Sequence, residues 1–142
     1  MSGSLVMSPA EREAFLADLH VGIIAINEEG RAPLAVPVWY AYEPGGDVKV
    51  LMQSDSRKMV GIDAAGRFSL CAQTETPPYQ YVTVEGPVTS VEAYDQADLQ
   101  AMATRYLGEE MGRQYAAGGV GANSVMVSMT PQRWLSTDYS KR

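Results

Sequence analysis

The stretch Tyr81-Val82-Thr83-Val84-Glu85-Gly86-Pro87-Val88-Thr89-Ser90-Val91 decides the fold. Val82, Val84 and Val88 alternate with Thr83, Glu85 and Thr89, the period-two pattern of a strand that buries one face. The Gly86-Pro87 step in its middle predicts a bulge or bend, because proline cannot donate to a ladder and glycine weakens one. Toward the N-terminus, Phe68 to Gln73, Val48 to Gln53, Pro33 to Tyr42 and Val21 to Asn27 also read as strands. Glu28-Glu29-Gly30-Arg31 and Pro44-Gly45-Gly46-Asp47 are turns, so the strands at Val21 to Asn27, Pro33 to Tyr42 and Val48 to Gln53 are expected to form an antiparallel meander. Toward the C-terminus, Ser124 to Met129 and, past Pro131, Arg133-Trp134-Leu135 make a final strand pair.

Helices fill the gaps between strands. Ser8, Pro9 and Glu11 form a capping box with proline at the first helical position, which predicts a helix from Pro9 to about Leu19 with Phe15 and Leu16 on its inner stripe. Ser54-Asp55-Ser56 opens a short helix from Arg57 to Ala65 that stops at Gly66, the expected left-handed terminator. Asp95 to Leu107 carries Leu99, Met102, Ala103 and Tyr106 at helical spacing, and Glu109 to Ala117 is a further helix before the glycines at 118, 119 and 121. Six or seven strands with turn signals roughly every 8–12 residues predict a mainly β chain with peripheral helices, closed as a small antiparallel barrel that leaves few free edges. One domain spans residues 1–142, with residues 1–7 expected to be a flexible tail.

Composition removes several classes of function. The chain has 142 residues, of which 46% are apolar, enough for a full core without disulfides. A single cysteine and a single histidine exclude a disulfide framework and nearly every zinc or iron site built from those ligands, and fit a reducing, cytoplasmic compartment. The longest apolar run, Val21 to Ile26, is far short of the ~20 residues of a membrane span, and no signal core stands at the N-terminus. A net charge of −6 argues against nucleic acid or an anionic membrane as partner. One histidine also removes the usual hydrolase triads, which leaves chemistry carried by a cofactor as the economical enzyme reading.

Two segments can hold such a group. Ser56, Arg57 and Lys58 stand where a strand ends and a helix begins, so hydroxyl, guanidinium, ammonium and free helix N–H groups can make a phosphate socket. Read without a ligand, Ser56 is an N-cap and the two cations are solvated surface. Val36-Pro37-Val38-Trp39-Tyr40 is a strand broken by proline, so a planar ring could lie along its unpaired side, with backbone groups of Val36 and Val38 meeting the heterocycle and Trp39 or Tyr40 as a wall. The alternative is an edge strand guarded against aggregation. Aromatic clusters at Tyr79 and Tyr81 and at Arg133, Trp134 and Tyr139 fit either an interface or a finished core. Cys71 reads as a small buried hydrophobe and His20 as a packing residue.

Four segments in order, Gly30-Arg31-Ala32-Pro33 leading into Val36 to Tyr40, Ser56-Arg57-Lys58, Tyr81-Val82-Thr83-Val84-Glu85-Gly86, and Pro131-Gln132-Arg133-Trp134, resemble the pyridoxamine 5′-phosphate oxidase-like split β-barrels. The likeness spans roughly Pro9 to Tyr139 and implies a homodimeric split barrel that binds FMN or the deazaflavin coenzyme F-420. It implies that Ser56, Arg57 and Lys58 hold the cofactor's phosphate, and that Val36, Pro37, Val38 and Trp39 with Leu51, Met52 and Gln53 lie beside its ring and ribityl chain. Tyr81, Arg133 and Trp134 would reach a cofactor held mainly by the partner chain. The implied activity is hydride transfer to or from a small organic substrate, chosen by the loops at 74–80 and 118–123. The alternatives are a non-catalytic flavin- or haem-binding module, or a structural dimer whose ligand site has decayed. Tyr40 stands where true pyridoxine phosphate oxidases carry a lysine, and the sole histidine is His20, so vitamin B6 oxidation is not expected.

Overall fold

In a computed structural model the chain is described over residues 4–119 and 123–142. Seven strands run in the order β1 (Gly22–Ile26), β2 (Leu34–Val38), β3 (Val48–Gln53), β4 (Arg67–Gln73), β5 (Gln80–Ala93), β6 (Ser124–Met129) and β7 (Arg133–Asp138). Four α-helices accompany them, α1 (Pro9–Ala17), α2 (Arg57–Ala65), α3 (Gln96–Leu107) and α4 (Glu109–Gly118). All strand pairs are antiparallel, and the hydrogen-bonded path is β2-β1-β4-β5-β6-β3, with β7 added to β5. This is the mainly β architecture expected, a half-barrel whose two free ends are β2 and β3.

The 14-residue β5 belongs to both halves of the sheet. Its first half pairs with β4 and β7, its second half with β6. The register shifts between Val88 and Ser90, so the bulge falls on Thr89, just beyond the expected Gly86-Pro87 step. Gly86 instead makes room for another segment. A Cβ there would lie 1.8 Å from the Thr130 carbonyl oxygen, so only glycine lets the β6–β7 connection cross so closely. Inward valines and leucines then fill the barrel. Leu70 and Val84 face one another across the β4–β5 ladder at 0% exposure, each contributing about 1.5–3 kcal/mol through burial.

Local signals hold where they are local. The α1 capping box forms in both directions, and α2 begins at Ser56 and ends on Gly66 in the left-handed region at φ 73°. The N-terminal segment corrects the expectation of a flexible tail over residues 1–7. The Asp138 N–H donates to the Leu5 carbonyl, the Met7 N–H to the Ser136 hydroxyl, and Met7 is buried against the core, because β7 needs a covering edge there. Residues 1–3 lie outside the described residues.

The expected meander of the first three strands is also corrected. β1 and β2 pair, but β3 pairs with β6, and only the isolated bridge Ala41–Lys49 links its neighbourhood to the chain after β2. The cause is Tyr40. Its ring is fully buried, its hydroxyl donates to the Leu16 carbonyl at 2.6 Å, and its backbone N–H donates to the Tyr106 hydroxyl at 3.0 Å. That anchor pulls the chain out of the ladder after Val38. Nor do β6 and β7 pair with each other; both lie along β5.

Helices α3 and α4 pack tightly on each other and meet the barrel mainly through side chains. Leu99, Met102 and Ala103 of α3 and Met126 of β6 are buried, yet stand apart from the barrel core. They form a second apolar layer on the outside of β3 and β6. Among the described residues no helix is long and apolar enough to cross a membrane.

Candidate functional site

The start of α2 carries three of the residues expected to bind a cofactor. Ser56 caps the helix, its hydroxyl accepting from the Met59 N–H at 3.2 Å. Arg57 forms a two-pronged pair with Glu28, with Nε and Nη2 at 2.8 and 2.6 Å from the two carboxylate oxygens. That bond holds the Glu28 carboxyl below its ordinary range and the guanidinium above its own. Arg57 is therefore tied to the β1–β2 turn, with its remaining donors and half of its side-chain surface exposed. Lys58 enters none of the ion pairs among the described residues and turns instead toward a cavity.

The cavity has a volume of about 190 Å³ and is lined by Val38, Trp39, Leu51, Lys58, Leu99, Met102, Ala103 and Tyr115. It opens where the end of β2 approaches β3, at the seam of the barrel. Four expected residues, Val38, Trp39, Leu51 and Lys58, meet there. The other four come from α3 and α4, which sequence reading did not connect to this site. The apolar spacing of Leu99, Met102 and Ala103 signalled a buried helix face but not what it covers. Trp39 is held by Tyr106, with ring centroids 5.0 Å apart and planes within 4°, and Tyr115 tilts against it at 5.5 Å. The Tyr106 hydroxyl in turn donates to the His20 carbonyl at 2.7 Å.

The β2 edge is open, as its proline requires. Pro37 pairs with Ile23 and has no N–H, so that pair must be one whose backbone groups point away from β1. Val36 and Val38 thus spend their backbone bonds on β1. The groups free along the edge belong to Ala35 and to the Pro37 carbonyl, which corrects the expectation for Val36 and Val38. Side chains alternate accordingly: Val36 and Val38 pack toward the core, and Pro37 is exposed on the outer face.

The remaining expected residues separate by strand alternation. Met52 is 5% exposed within the core, so its side chain is unavailable to a ligand on the outer face, whereas Leu51 and Gln53 point outward. Trp134 lies opposite the buried Val84, edge-on to Tyr42 and beneath the Arg12 guanidinium at 4.8 Å, so it serves the inner face. Tyr81 and Arg133 lie opposite Thr137 and Glu85 on the outer face. Neither they nor Trp134 line the Lys58 cavity. The 74–80 loop, expected as a substrate wall, stands elsewhere, with Pro77, Pro78 and Tyr79 beside Tyr139 and Arg142. Within the other expected loop, residues 120–122 lie outside the described residues.

On the far side of Met102, a groove of about 540 Å³ runs between the β2–β3 connection and α3. Glu43, Asp47, Lys49, Asp98 and Arg105 rim it. Arg105 is already committed to the carbonyls of Ala17 and Asp18, which ties α3 to the end of α1. Among the described residues, no three His, Cys, Asp or Glu side chains are grouped so as to hold a metal ion.

No protein-family model and no curated protein matches the chain. Solved structures do. A conserved hypothetical protein, Rv2991 from Mycobacterium tuberculosis, is 22% identical, with a TM-score of 0.76 over 98% of this chain and 89% of that one. An F420 reductase is 19% identical, with a TM-score of 0.70 over 87% and 94% of the two chains. A putative pyridoxamine 5′-phosphate oxidase from Listeria innocua is 12% identical, with a TM-score of 0.68 over 90% and 96%. At these identities the likeness is one of fold. The chain shares the antiparallel half-barrel fold of these solved structures, the fold that the sequence resemblance implied.

Proposed function

We propose that this protein is a homodimeric oxidoreductase that binds FMN or coenzyme F-420 and moves a hydride to or from a small organic substrate. One observation carries the reading: the cation at the start of α2 and the open end of β2 border the same crevice, through Lys58, Val38 and Trp39. The F420 reductase and the pyridoxamine phosphate oxidase-like protein of the same fold support the choice of cofactor class.

The donor set suits an anionic coenzyme. Ser56, the unused donors of Arg57 and the ammonium of Lys58 sit at a helix N-terminus, where about half a positive charge and free N–H groups favour phosphate. The 190 Å³ crevice is smaller than the roughly 300–1,000 Å³ of pockets that enclose a drug-sized molecule. The coenzyme's ring would therefore lie across the mouth of the crevice, along Ala35 and Pro37. When bound, the coenzyme supplies the hydride centre; the chain binds, orients and excludes water, so no acid–base pair is needed.

The outer sheet face supports the dimer. Pro37, Ile23, Cys71, Thr83 and Leu135 form one uncharged row across β2, β1, β4, β5 and β7. Ile23 is 38% and Leu135 61% exposed. Tyr81 and Arg133 flank this row on the same face, so a second copy seated on it would present them to the partner's coenzyme. Titrating the purified protein with FMN and with coenzyme F-420 tests the reading. Micromolar binding of one is expected, and binding of neither would end it. Binding without reduction of any acceptor by the reduced form would leave a cofactor-binding module in its place.

A further inference from the structure

We infer that Glu28 is a positioning residue that sets which phosphate the coenzyme seat accepts: by closing on Arg57 it makes the start of α2 favour a monoanionic phosphodiester over a dianionic phosphate monoester. The inference deepens the function proposed above and rests on it, with Ser56, Arg57 and Lys58 keeping the phosphate-binding roles given there. Of the two coenzymes, FMN ends in a monoester and F-420 carries a diester, so Glu28 selects F-420.

Glu28 lies in the turn between β1 and β2, where its backbone carbonyl accepts from the Arg31 N–H at 3.1 Å. Its carboxylate takes two of the five guanidinium donors of Arg57, from Nε at 2.8 Å and Nη2 at 2.6 Å. The fork holds the rest of the guanidinium in one orientation for an anion. It also brings a negative charge. The Glu28 side chain is only 14% exposed, so water screens it little, and the hydrogen bonds from Arg57, with the charges of Arg57 and Arg31, hold the carboxyl below its ordinary range. Across the turn and the start of the helix, Arg31, Arg57 and Lys58 are matched by Glu28, Glu29 and Asp55, so the formal charge is zero and the helix end adds about half a positive unit. One negative charge on the phosphate is met by Lys58 and the helix N–H groups. A second is left to Arg57, whose charge Glu28 already balances. The seat is open as well: Ser54, Asp55 and Arg57 are exposed, so a bound phosphate can carry a second substituent away from the helix.

FMN tests this within one molecule, because a phosphate monoester gains its second charge at about pH 6. Affinities for FMN and for riboflavin 5′-(methyl phosphate), a diester with the same ring, are read from flavin fluorescence, and that for F-420 from calorimetry. The unaltered protein should bind FMN about fivefold or more weakly at about pH 7.5 than at about pH 5.5, and the methyl ester equally at both. The chain's one histidine, the side chain that ordinarily titrates in this window, stacks on Phe15 just past the end of α1. Glu28→Gln should abolish or reverse the FMN slope, and Glu28→Asp, which keeps the charge, should retain it; a residue that merely supported the fold would shift all three ligands alike. Four results overturn the inference and leave the coenzyme reading standing so long as either coenzyme binds: FMN as tight at the higher pH as at the lower, no FMN binding at the lower pH, a slope that survives Glu28→Gln or appears with the methyl ester, or FMN tighter than F-420 at the higher pH. Binding of neither coenzyme sinks both.

Discussion

Replacing Gly86 by alanine tests the account of how the two halves of the barrel are joined. The added Cβ would sit 1.8 Å from the Thr130 carbonyl oxygen and 2.9 Å from its carbon, both backbone atoms with no rotamer to escape into. Relief requires the 130–132 segment to retreat by more than 1 Å. Two backbone bonds hold it there, from the Thr130 N–H to the Pro87 carbonyl at 3.0 Å and from the Gln132 N–H to the Glu85 carbonyl at 2.8 Å. Weakening both costs about 0.5–1.5 kcal/mol each, and forcing a methyl into a packed site about 1–3 kcal/mol. The expected loss is therefore about 2–6 kcal/mol, or of order 10 °C in Tm for a chain of this size. Urea denaturation followed by circular dichroism measures it, with an unchanged m-value showing that the folded state is otherwise retained. Gly118→Ala is the control: among the described residues nothing lies within 4 Å of a Cβ there, at the end of α4, so stability should stay within about 0.5 kcal/mol. A Gly86→Ala protein within about 1 kcal/mol of the unaltered one would refute the close crossing.

Lys58→Ala should weaken binding of the coenzyme by about 1.5–3 kcal/mol, the range of a charge-assisted hydrogen bond, measured by calorimetry with whichever of FMN or F-420 binds. Unchanged affinity would count against a phosphate seat at α2. Tyr106→Phe removes the acceptor of the Tyr40 N–H and the donor to the His20 carbonyl, so the Tyr40 amide should exchange faster and stability fall by about 1–3 kcal/mol. Unaltered exchange at Tyr40 would show that this bond does not hold the chain out of the ladder. Burial keeps the His20 imidazole below its usual 6.5 in the folded state, so the unfolded chain takes the proton first on acidification. Stability should therefore fall as the pH drops below 6.5 toward the lower folded value. His20→Gln should flatten that slope in urea midpoints measured across the window, and an unchanged slope would assign it elsewhere.

Much of the local structure around the candidate site was legible in the sequence. A cap, a proline and a glycine act on their own neighbours, so α2 from Arg57 to Ala65, its stop at Gly66 and the open edge at Pro37 followed from adjacent residues. Period-two alternation told which valines of β5 face inward, and β7 obeys the same rule. Applied to Arg133-Trp134, it already required the two side chains to take opposite faces, although not which face each would take.

Four features were settled only by folding: β3 pairs with β6, Arg57 closes on Glu28, Met52 enters the core, and α3 with α4 roofs the Lys58 cavity. The contacts concerned reach from 29 positions along the chain, for Arg57 and Glu28, to 81, for Val48 and Met129. Hydrogen-bonding propensity and periodicity decay within a few residues, so the sequence alone determined the elements, their caps and their likeness to a split barrel. Which strand closes on which, and which face a helix covers, is decided by burying the most apolar surface at once. That is a property of the whole chain, visible only when its distant parts meet.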